Sequence, residues 1–236
     1  MIVEYLNIVT ILTLIFIAIL VIKLKILDIY GSLIAIFIGI SVLFGIGLNG
    51  LILLFAFFIL THFLTKYKYH DKRRTGLAQS KGGTRAWTNV LANGICTSLF
   101  ALSYYFFNLE ILLISFITSI SIATGDTIST EIGLLSKHKP RLITTLRKVE
   151  SGYSGAITLL GTIAGVSSIS LIILFAYGLD INQNYNYLVA ALIGGITGII
   201  IDSIFGATIQ ANYICKSCNQ LTESKIHHNR YTNWSR

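Results

Sequence analysis

The sequence predicts an all-α, polytopic membrane protein with about seven transmembrane helices. Of its 236 residues, 54% are hydrophobic and 12% are charged, whereas about 25% of the residues of an average soluble domain are charged. Apolar segments recur that approach the roughly 20 residues needed to cross a bilayer core about 30 Å thick. Basic residues alternate with these segments in a regular way. The composition therefore argues against a soluble globular protein.

The apolar segments lie at 6–22, 29–48, 50–64, 88–107, 109–125, 152–178 and 187–210. The first lacks the preceding basic residues and the following cleavage site of a signal peptide, so we expect a retained helix. The single proline, Pro140, lies outside all of them. We therefore expect no proline kink within a span.

The basic residues predict the orientation of the chain. All 18 Lys and Arg residues lie at 23–25, 66–85, 137–148 and 216–236, and the intervening connections near 48–50, 108–110 and 179–186 contain none. Under the positive-inside rule, this split places the N-terminus outside and the C-terminus in the cytoplasm, and we expect the plasma membrane. The net charge of +8 then reflects topology and attraction to anionic membrane lipids, and no nucleic-acid partner is expected.

The expected domain organisation is simple. Residues 1–210 form one transmembrane helical domain with cytoplasmic loops at 65–87 and 134–151, and residues 211–236 form a polar cytoplasmic tail. The three cysteines do not suggest a disulfide scaffold, because two of them fall on the reducing side. In the tail, a CxxC pair precedes two adjacent histidines, which gives a candidate zinc site or a plain polar tail. The candidate zinc ligands are Cys215, Cys218, His227 and His228.

Two carboxylates lie at a matched depth, Asp126 at the end of the apolar segment 109–125 and Asp202 inside the segment 187–210. Asp126 and Asp202 each follow the outer start of their segment by about 15 residues, or about 22 Å at 1.5 Å per residue. Asn93 lies about 8 Å from the cytoplasmic end of its segment. A carboxylate within a span is costly unless it faces a partner or a water-filled cavity. We therefore expect a shared polar site in the cytoplasmic third of the bilayer, with an interhelical hydrogen-bonded pair as the alternative.

A divalent cation is the favoured partner of these acids, because we expect no Lys or Arg at their depth. Mg²⁺ accepts one or two carboxylates together with hydroxyls, water and phosphate oxygens. Asp126 and Asp202 are therefore candidate Mg²⁺ ligands. Glu131, about one turn nearer the cytoplasm, is expected to complete or orient the metal shell.

Two loops offer groups suited to phosphate. SKGGTRAW at 80–87 places Lys81 and Arg85 around two glycines, immediately before an apolar segment. VESGYSGAIT at 149–158 adds serines and glycines at the start of another, where Glu150 is expected to cap the helix, with a contact to the metal as the alternative. Cations and backbone N–H groups at helix starts bind phosphate.

Three motifs carry a family resemblance. GDTISTEIG at 125–133, SGYSGAITLLG at 151–161 and IDSIFGATIQ at 201–210 follow a basic loop and VLANG at 90–94. In this order they resemble the integral membrane family that includes the plant phytyl-phosphate kinases, over about residues 20–220. The matched positions are Asp126, Thr127, Thr130, Glu131, Gly152, Gly155, Thr158, Asp202, Ser203, Gly206 and Gln210.

The resemblance implies a kinase that uses CTP and Mg²⁺ to convert an isoprenyl monophosphate, such as a phytyl, geranylgeranyl or polyprenyl phosphate, to its diphosphate at the cytoplasmic membrane face. The candidate catalytic residues are Asp126, Glu131 and Asp202. The candidate nucleotide or phosphate ligands are Lys81, Arg85, Asn93, Thr127, Ser151, Gly152, Gly155 and Ser203. A transporter or flippase of a lipid phosphate or small ion is one alternative. A membrane cytidylyltransferase, which would release pyrophosphate instead of CDP, is another.

Overall fold

The computed structural model describes residues 2–74, 86–211, 213–214, 221–222, 226–227 and 230–234. The helices are α1 (Ile2–Lys23), α2 (Ile29–Gly45), α3 (Leu48–Lys66), α4 (Tyr69–Arg74), α5 (Trp87–Phe107), α6 (Glu110–Gly133), α7 (Leu159–Gly178) and α8 (Tyr185–Thr208). The strands have two residues each: β1 (Arg141–Leu142), β2 (Ala156–Ile157), β3 (Tyr213–Ile214), β4 (Leu221–Thr222), β5 (Ile226–His227), β6 (Arg230–Tyr231) and β7 (Asn233–Trp234).

Each predicted apolar segment corresponds to a helix. Among the described residues, α3, α5, α6, α7 and α8 are long and apolar enough to cross a membrane by length and composition. α2 and residues 13–23 of α1 are shorter apolar helices. Helices satisfy their own backbone hydrogen bonds, which lipid requires. The predicted fold class is confirmed: the chain is an all-α, polytopic membrane protein.

α6 forms the centre of the bundle and packs against α3, α5, α7 and α8. Phe116, Ile117 and Ile120 are fully buried along it. The buried hydroxyls of Ser121 and Thr124 donate to carbonyl oxygens one turn earlier in α6, at 2.9 and 2.7 Å. These two buried hydroxyls are therefore satisfied within α6 itself.

Small residues bring α6 and α7 close together. A methyl group added to Gly161 would lie 2.5 Å from the Ser129 carbonyl oxygen and 3.1 Å from the Cα of Gly133. One turn along α7, a methyl group on Gly165 would lie 3.0 Å from the Cβ of Ser129. Larger side chains would push the two helices apart.

The start of α7 differs from the prediction. Residues 152–158, which we predicted to begin the sixth apolar segment, are not helical, and β2 pairs antiparallel with β1. Gly152 and Gly155 have φ of 89° and 72°, outside the range of a right-handed helix. α7 begins only after Thr158, whose side chain accepts from the Gly161 amide at 3.0 Å. We call residues 134–158 the crossover loop, and the end of the bundle where it lies the loop end.

The predicted polar tail contains short strands in its described part. β3 pairs with β4 and β7, and β5 pairs with β6. Residues 215–220, 223–225 and 228–229 lie outside the described residues.

Candidate functional site

A polar cleft of about 530 Å³ lies at the loop end of the bundle. Its walls come from α5, α6, the crossover loop, the start of α7 and the end of α8. Eight of the predicted site residues line it: Asn93, Asp126, Thr127, Ser151, Gly152, Gly155, Asp202 and Ser203. The fold thus brings three distant motifs together around one cleft.

The packing of α6 on α8 explains how the two aspartates reach this cleft. A methyl group on Gly194 would lie 3.0 Å from Thr118, and one on Gly198 would lie 2.5 Å from Ile122. A step of one turn along α8 is therefore matched by a step of one turn along α6, so the two helices run parallel. The next turn on each helix carries Asp202 and Asp126, and both residues line the cleft.

The crossover loop forms a wall beside Asp202 because it touches α8 backbone to backbone. A methyl group on Gly206 would lie 2.8 Å from the Gly155 nitrogen. A methyl group on Gly155 would overlap the Ala207 nitrogen and the Ser203 carbonyl oxygen. Because Gly155 also has a positive φ, a glycine is required there on two independent grounds. The loop therefore packs on the last turns of α8 and forms one wall of the cleft.

Glu131 is not among the residues that line the cleft, and it makes a contact that was not predicted. Its carboxylate accepts from the Lys72 ammonium at 2.6 Å, and the two side chains are only 6% and 1% exposed. The same ammonium donates to the Leu64 carbonyl oxygen at 3.0 Å. The sequence did not predict this basic partner of Glu131, which α4 carries back into the bundle. Glu131 thus joins α6 to α4.

Two further loop acids make polar contacts away from the cleft, and one of them was not predicted. Glu150 pairs with Lys139 at 2.6 Å on the surface and does not cap α7. Asp28 accepts from the Gly31 amide at 2.7 Å and from the Trp87 amide at 3.2 Å, so it joins the starts of α2 and α5. This bridge fixes the first turn of α5 where the basic loop ends. Local sequence signals only the cap on α2, because a carboxylate three residues before an amide is the usual capping arrangement.

Asn89 is a cleft residue that sequence reasoning missed. It lies on α5 one turn before Asn93, and both asparagines line the cleft. Two asparagines four residues apart at the start of an apolar helix were the available signal.

Some predicted residues cannot be placed. Lys81, Arg85, Cys215, Cys218 and His228 lie outside the described residues. The His227 backbone pairs in β5 with Arg230, while its side chain is outside the described part. Among the residues that are described, no group of three or more His, Cys, Asp or Glu side chains is arranged to hold a metal ion. Both the zinc site and the magnesium site remain predictions.

Comparison with known proteins gives the family. The model of the integral membrane protein family DUF92 matches residues 12–235. An uncharacterized membrane protein of Methanocaldococcus jannaschii is 39% identical over 203 residues, which is 86% of this chain and 82% of that protein. Protein PGR of Arabidopsis thaliana is 32% identical over 224 residues, covering 84% of this chain and 77% of its own length.

A shorter match links the chain to a chloroplast protein. Protein VTE6, chloroplastic, of Arabidopsis thaliana is 29% identical over 126 residues, which is 51% of this chain and 38% of that protein. No solved structure matches the chain. The family match covers nearly the whole chain, including every wall of the polar cleft. The chain therefore belongs to the DUF92 family of integral membrane proteins.

Proposed function

We propose that this protein is a kinase that uses a nucleoside triphosphate, CTP by resemblance, to add a second phosphate to an isoprenyl monophosphate. The observation that carries the proposal is the convergence of Asp126 and Asp202 on one cleft beside a glycine-rich loop. Phosphoryl transfer requires mainly positioning and charge neutralisation. A cleft at one end of apolar helices is also a place where a lipid and a water-soluble donor can meet.

The donor set of the cleft fits Mg²⁺. Asp126 and Asp202 supply carboxylates, and Thr127 and Ser203 supply hydroxyls. Since no third acid joins them among the described residues, water and phosphate oxygens would complete the shell, as is usual for Mg²⁺. Bound there, the ion would neutralise the charge that phosphoryl transfer brings together.

The crossover-loop wall beside Asp202 suits phosphate oxygens. Ser151, Gly152 and Gly155 present a hydroxyl and two left-handed backbone positions, and adjoining amides in such turns can form anion-binding concavities. The side-chain amides of Asn89 and Asn93 would donate to a phosphate from α5. Lys81 and Arg85 immediately precede that helix in sequence, and we propose that they neutralise the triphosphate.

The reaction balances without a general base. A phosphate oxygen of the isoprenyl monophosphate attacks the γ-phosphorus of the nucleotide, a new O–P bond forms, and the bond to the β-phosphate bridging oxygen breaks. The products are the isoprenyl diphosphate and the nucleoside diphosphate. The attacking oxygen is already anionic, so the residues of the cleft have only to hold the two phosphates in line and screen their repulsion. We propose that the cleft faces the cytoplasm, where the nucleotide is.

The continuity of the acid-bearing helices favours an enzyme over a transporter. Transporters commonly place their site near the midplane and interrupt helices there. Here α6 and α8 are each unbroken for 24 residues, and their acids lie toward one end.

The test is a nucleotide-by-lipid activity matrix. Purified protein in proteoliposomes is given CTP or ATP with Mg²⁺ and monophosphates of increasing prenyl length, and products are identified by mass spectrometry. We expect isoprenyl diphosphate and CDP. Release of pyrophosphate would establish a cytidylyltransferase instead. Lipid-phosphate flux without nucleotide, and without diphosphate, would establish a transporter.

A further inference from the structure

A second, apolar groove adjoins the polar cleft. It has room for about 100 Å³ and lies between α1, α2, α3 and α5. Its lining is almost entirely hydrocarbon, and small residues on two helices leave the space open. The residues that shape it are Ala18, Ala35, Gly39, Leu54, Phe58 and Val90.

The groove and the polar cleft border each other at α5. Asn89 and Asn93 line both spaces, so the first turns of α5 contact each of them. The groove follows α2 from Ser32 to Gly39, which is about 10 Å at 1.5 Å per residue. It therefore leads from the loop end toward the middle of the bundle.

A buried hydroxyl marks the groove. Ser32 is 1% exposed, and its Oγ has no hydrogen-bond partner among the described residues. A buried hydroxyl without a partner is costly and uncommon. Its place at the loop end of the groove suits a ligand that is polar near the cleft and apolar beyond it.

We propose that this groove binds the part of the isoprenoid chain nearest the phosphate, while the phosphate lies in the polar cleft. The assignment rests on the proposed kinase function. The groove has the volume of about three water molecules at ~30 Å³ each, which suits about one branched five-carbon unit and not a whole long chain. The remaining chain extends into the surrounding lipid. Recognition is thus expected to depend on branching next to the phosphate.

Photoaffinity labelling tests the groove without requiring turnover. The full chain in phosphatidylcholine nanodiscs is labelled with geranylgeranyl monophosphate that carries a diazirine on its first isoprenyl unit, and labelled peptides are mapped. We expect label on the groove walls of α1, α2 and α5. Excess unlabelled geranylgeranyl monophosphate should remove it, and excess phosphatidic acid should not.

Two variants fill the groove from different helices, and a third variant serves as the control. Ala35→Phe or Ala18→Phe should lower groove labelling about tenfold. Leu33→Phe adds similar bulk to α2, but Leu33 is 59% exposed on the outer surface, so its labelling should stay within about twofold. Only variants with wild-type helical content and a monodisperse profile are compared. If one groove variant fails to fold, the labelling of the other is sufficient to test the groove.

Several results would overturn the assignment. Label concentrated on α7 or α8, or unchanged in the folded groove variants, would place the chain elsewhere. Equal competition by phosphatidic acid would show that the groove accepts bulk lipid. If diphosphate forms but the label lies elsewhere, only the groove assignment is rejected. If the groove is labelled specifically but no diphosphate forms, only the kinase proposal is rejected.

Discussion

Asp126 and Asp202 are the side chains on which the proposed chemistry depends. Replacing either with Asn keeps the size and removes the charge, so we expect Asp126→Asn and Asp202→Asn each to lower turnover by about 10³-fold or more, comparable to the loss of one strong transition-state contact. Diphosphate formation is measured at saturating lipid and nucleotide, with thermal unfolding as the check on folding.

The matched control is Asp180→Asn. Asp180 is exposed in the connection between α7 and α8, away from the loop end. It should retain near wild-type turnover. Equal losses in all three variants, or none, would remove the aspartates from the mechanism.

Glu131 is expected to stabilise the fold and not to touch the reacting groups. Glu131→Gln leaves the buried Lys72 charge without its partner, which should lower the free energy of unfolding by about 3–5 kcal/mol. The double variant Lys72→Met/Glu131→Leu replaces the pair with apolar groups, and it should regain most of the stability and retain activity. Unfolding in detergent and diphosphate formation are measured on the same preparations.

The control pair for this test is exposed. Glu150→Gln breaks the Lys139 contact, where both side chains are more than 60% exposed, so stability should change little. If the double variant is stable but inactive, Glu131 is again a candidate catalytic residue.

The sequence predicted the unusual acids, but it did not predict that Lys72 pairs with Glu131. Asp126 and Asp202 stand out because charge is rare within apolar segments, and helical rise alone puts them at one depth. Lys72 lies 59 positions from Glu131 and resembles the other cations of its loop. Only the folding of α4 distinguishes it.

Among the elements, the crossover loop is the one whose fit is most exacting. Gly155→Ala would strain a positive φ, at a cost of about 1–3 kcal/mol, and would overlap α8. We expect the loop to move away from Asp202, with a large loss of activity and a lower unfolding temperature. Limited proteolysis within residues 143–155 provides an independent readout.

Gly178→Ala serves as the comparison. An added methyl group there meets nothing within 4 Å, and the backbone is not left-handed, so stability and activity should be unchanged or slightly higher. Similar effects at both glycines would mean that the contact of the loop with α8 is unimportant.

Helices were easier to predict than the segments between them. Apolar length identified each of the long apolar helices in the described part of the chain, yet residues 152–158 were predicted to be part of one. Their apolar and small residues resemble those of a membrane helix. Because two glycines have a left-handed backbone and Thr158 caps α7, the helix begins only after residue 158. The link between Asp28 and Trp87 was equally hidden, because it joins two helix starts distant in sequence.

For the whole molecule, the distribution of Lys and Arg predicts which side the cleft faces. In a chain whose cysteines are replaced by Ser, we introduce either His138→Cys or Gln183→Cys, both at exposed positions. A membrane-impermeant maleimide on intact cells should label the cysteine at 183 at once, and the one at 138 only after permeabilisation. The reverse pattern would put the cleft outside and away from its nucleotide.

The sequence predicted a shared polar site around the two aspartates, but it predicted neither the walls of the polar cleft nor the apolar groove. Charge and hydropathy predicted the class of protein, while the direction of each span and the depth of the acids stay predictions. The clefts arise from how α5 lies between α2 and α6 and from how the crossover loop closes on α8, which are properties of packing. The sharing of two asparagines between an apolar and a polar space follows from that packing alone.

We propose to measure whether Asp126 and Asp202 together hold one divalent cation by electron paramagnetic resonance, with Mn²⁺ as a probe for the Mg²⁺ site. The protein in nanodiscs is titrated with Mn²⁺ in the presence of a non-hydrolysable CTP analogue. We predict one tightly bound ion per chain, weakened about tenfold or more in Asp126→Asn and in Asp202→Asn but not in Asp180→Asn. Unchanged Mn²⁺ affinity and stoichiometry in both cleft variants would contradict the account.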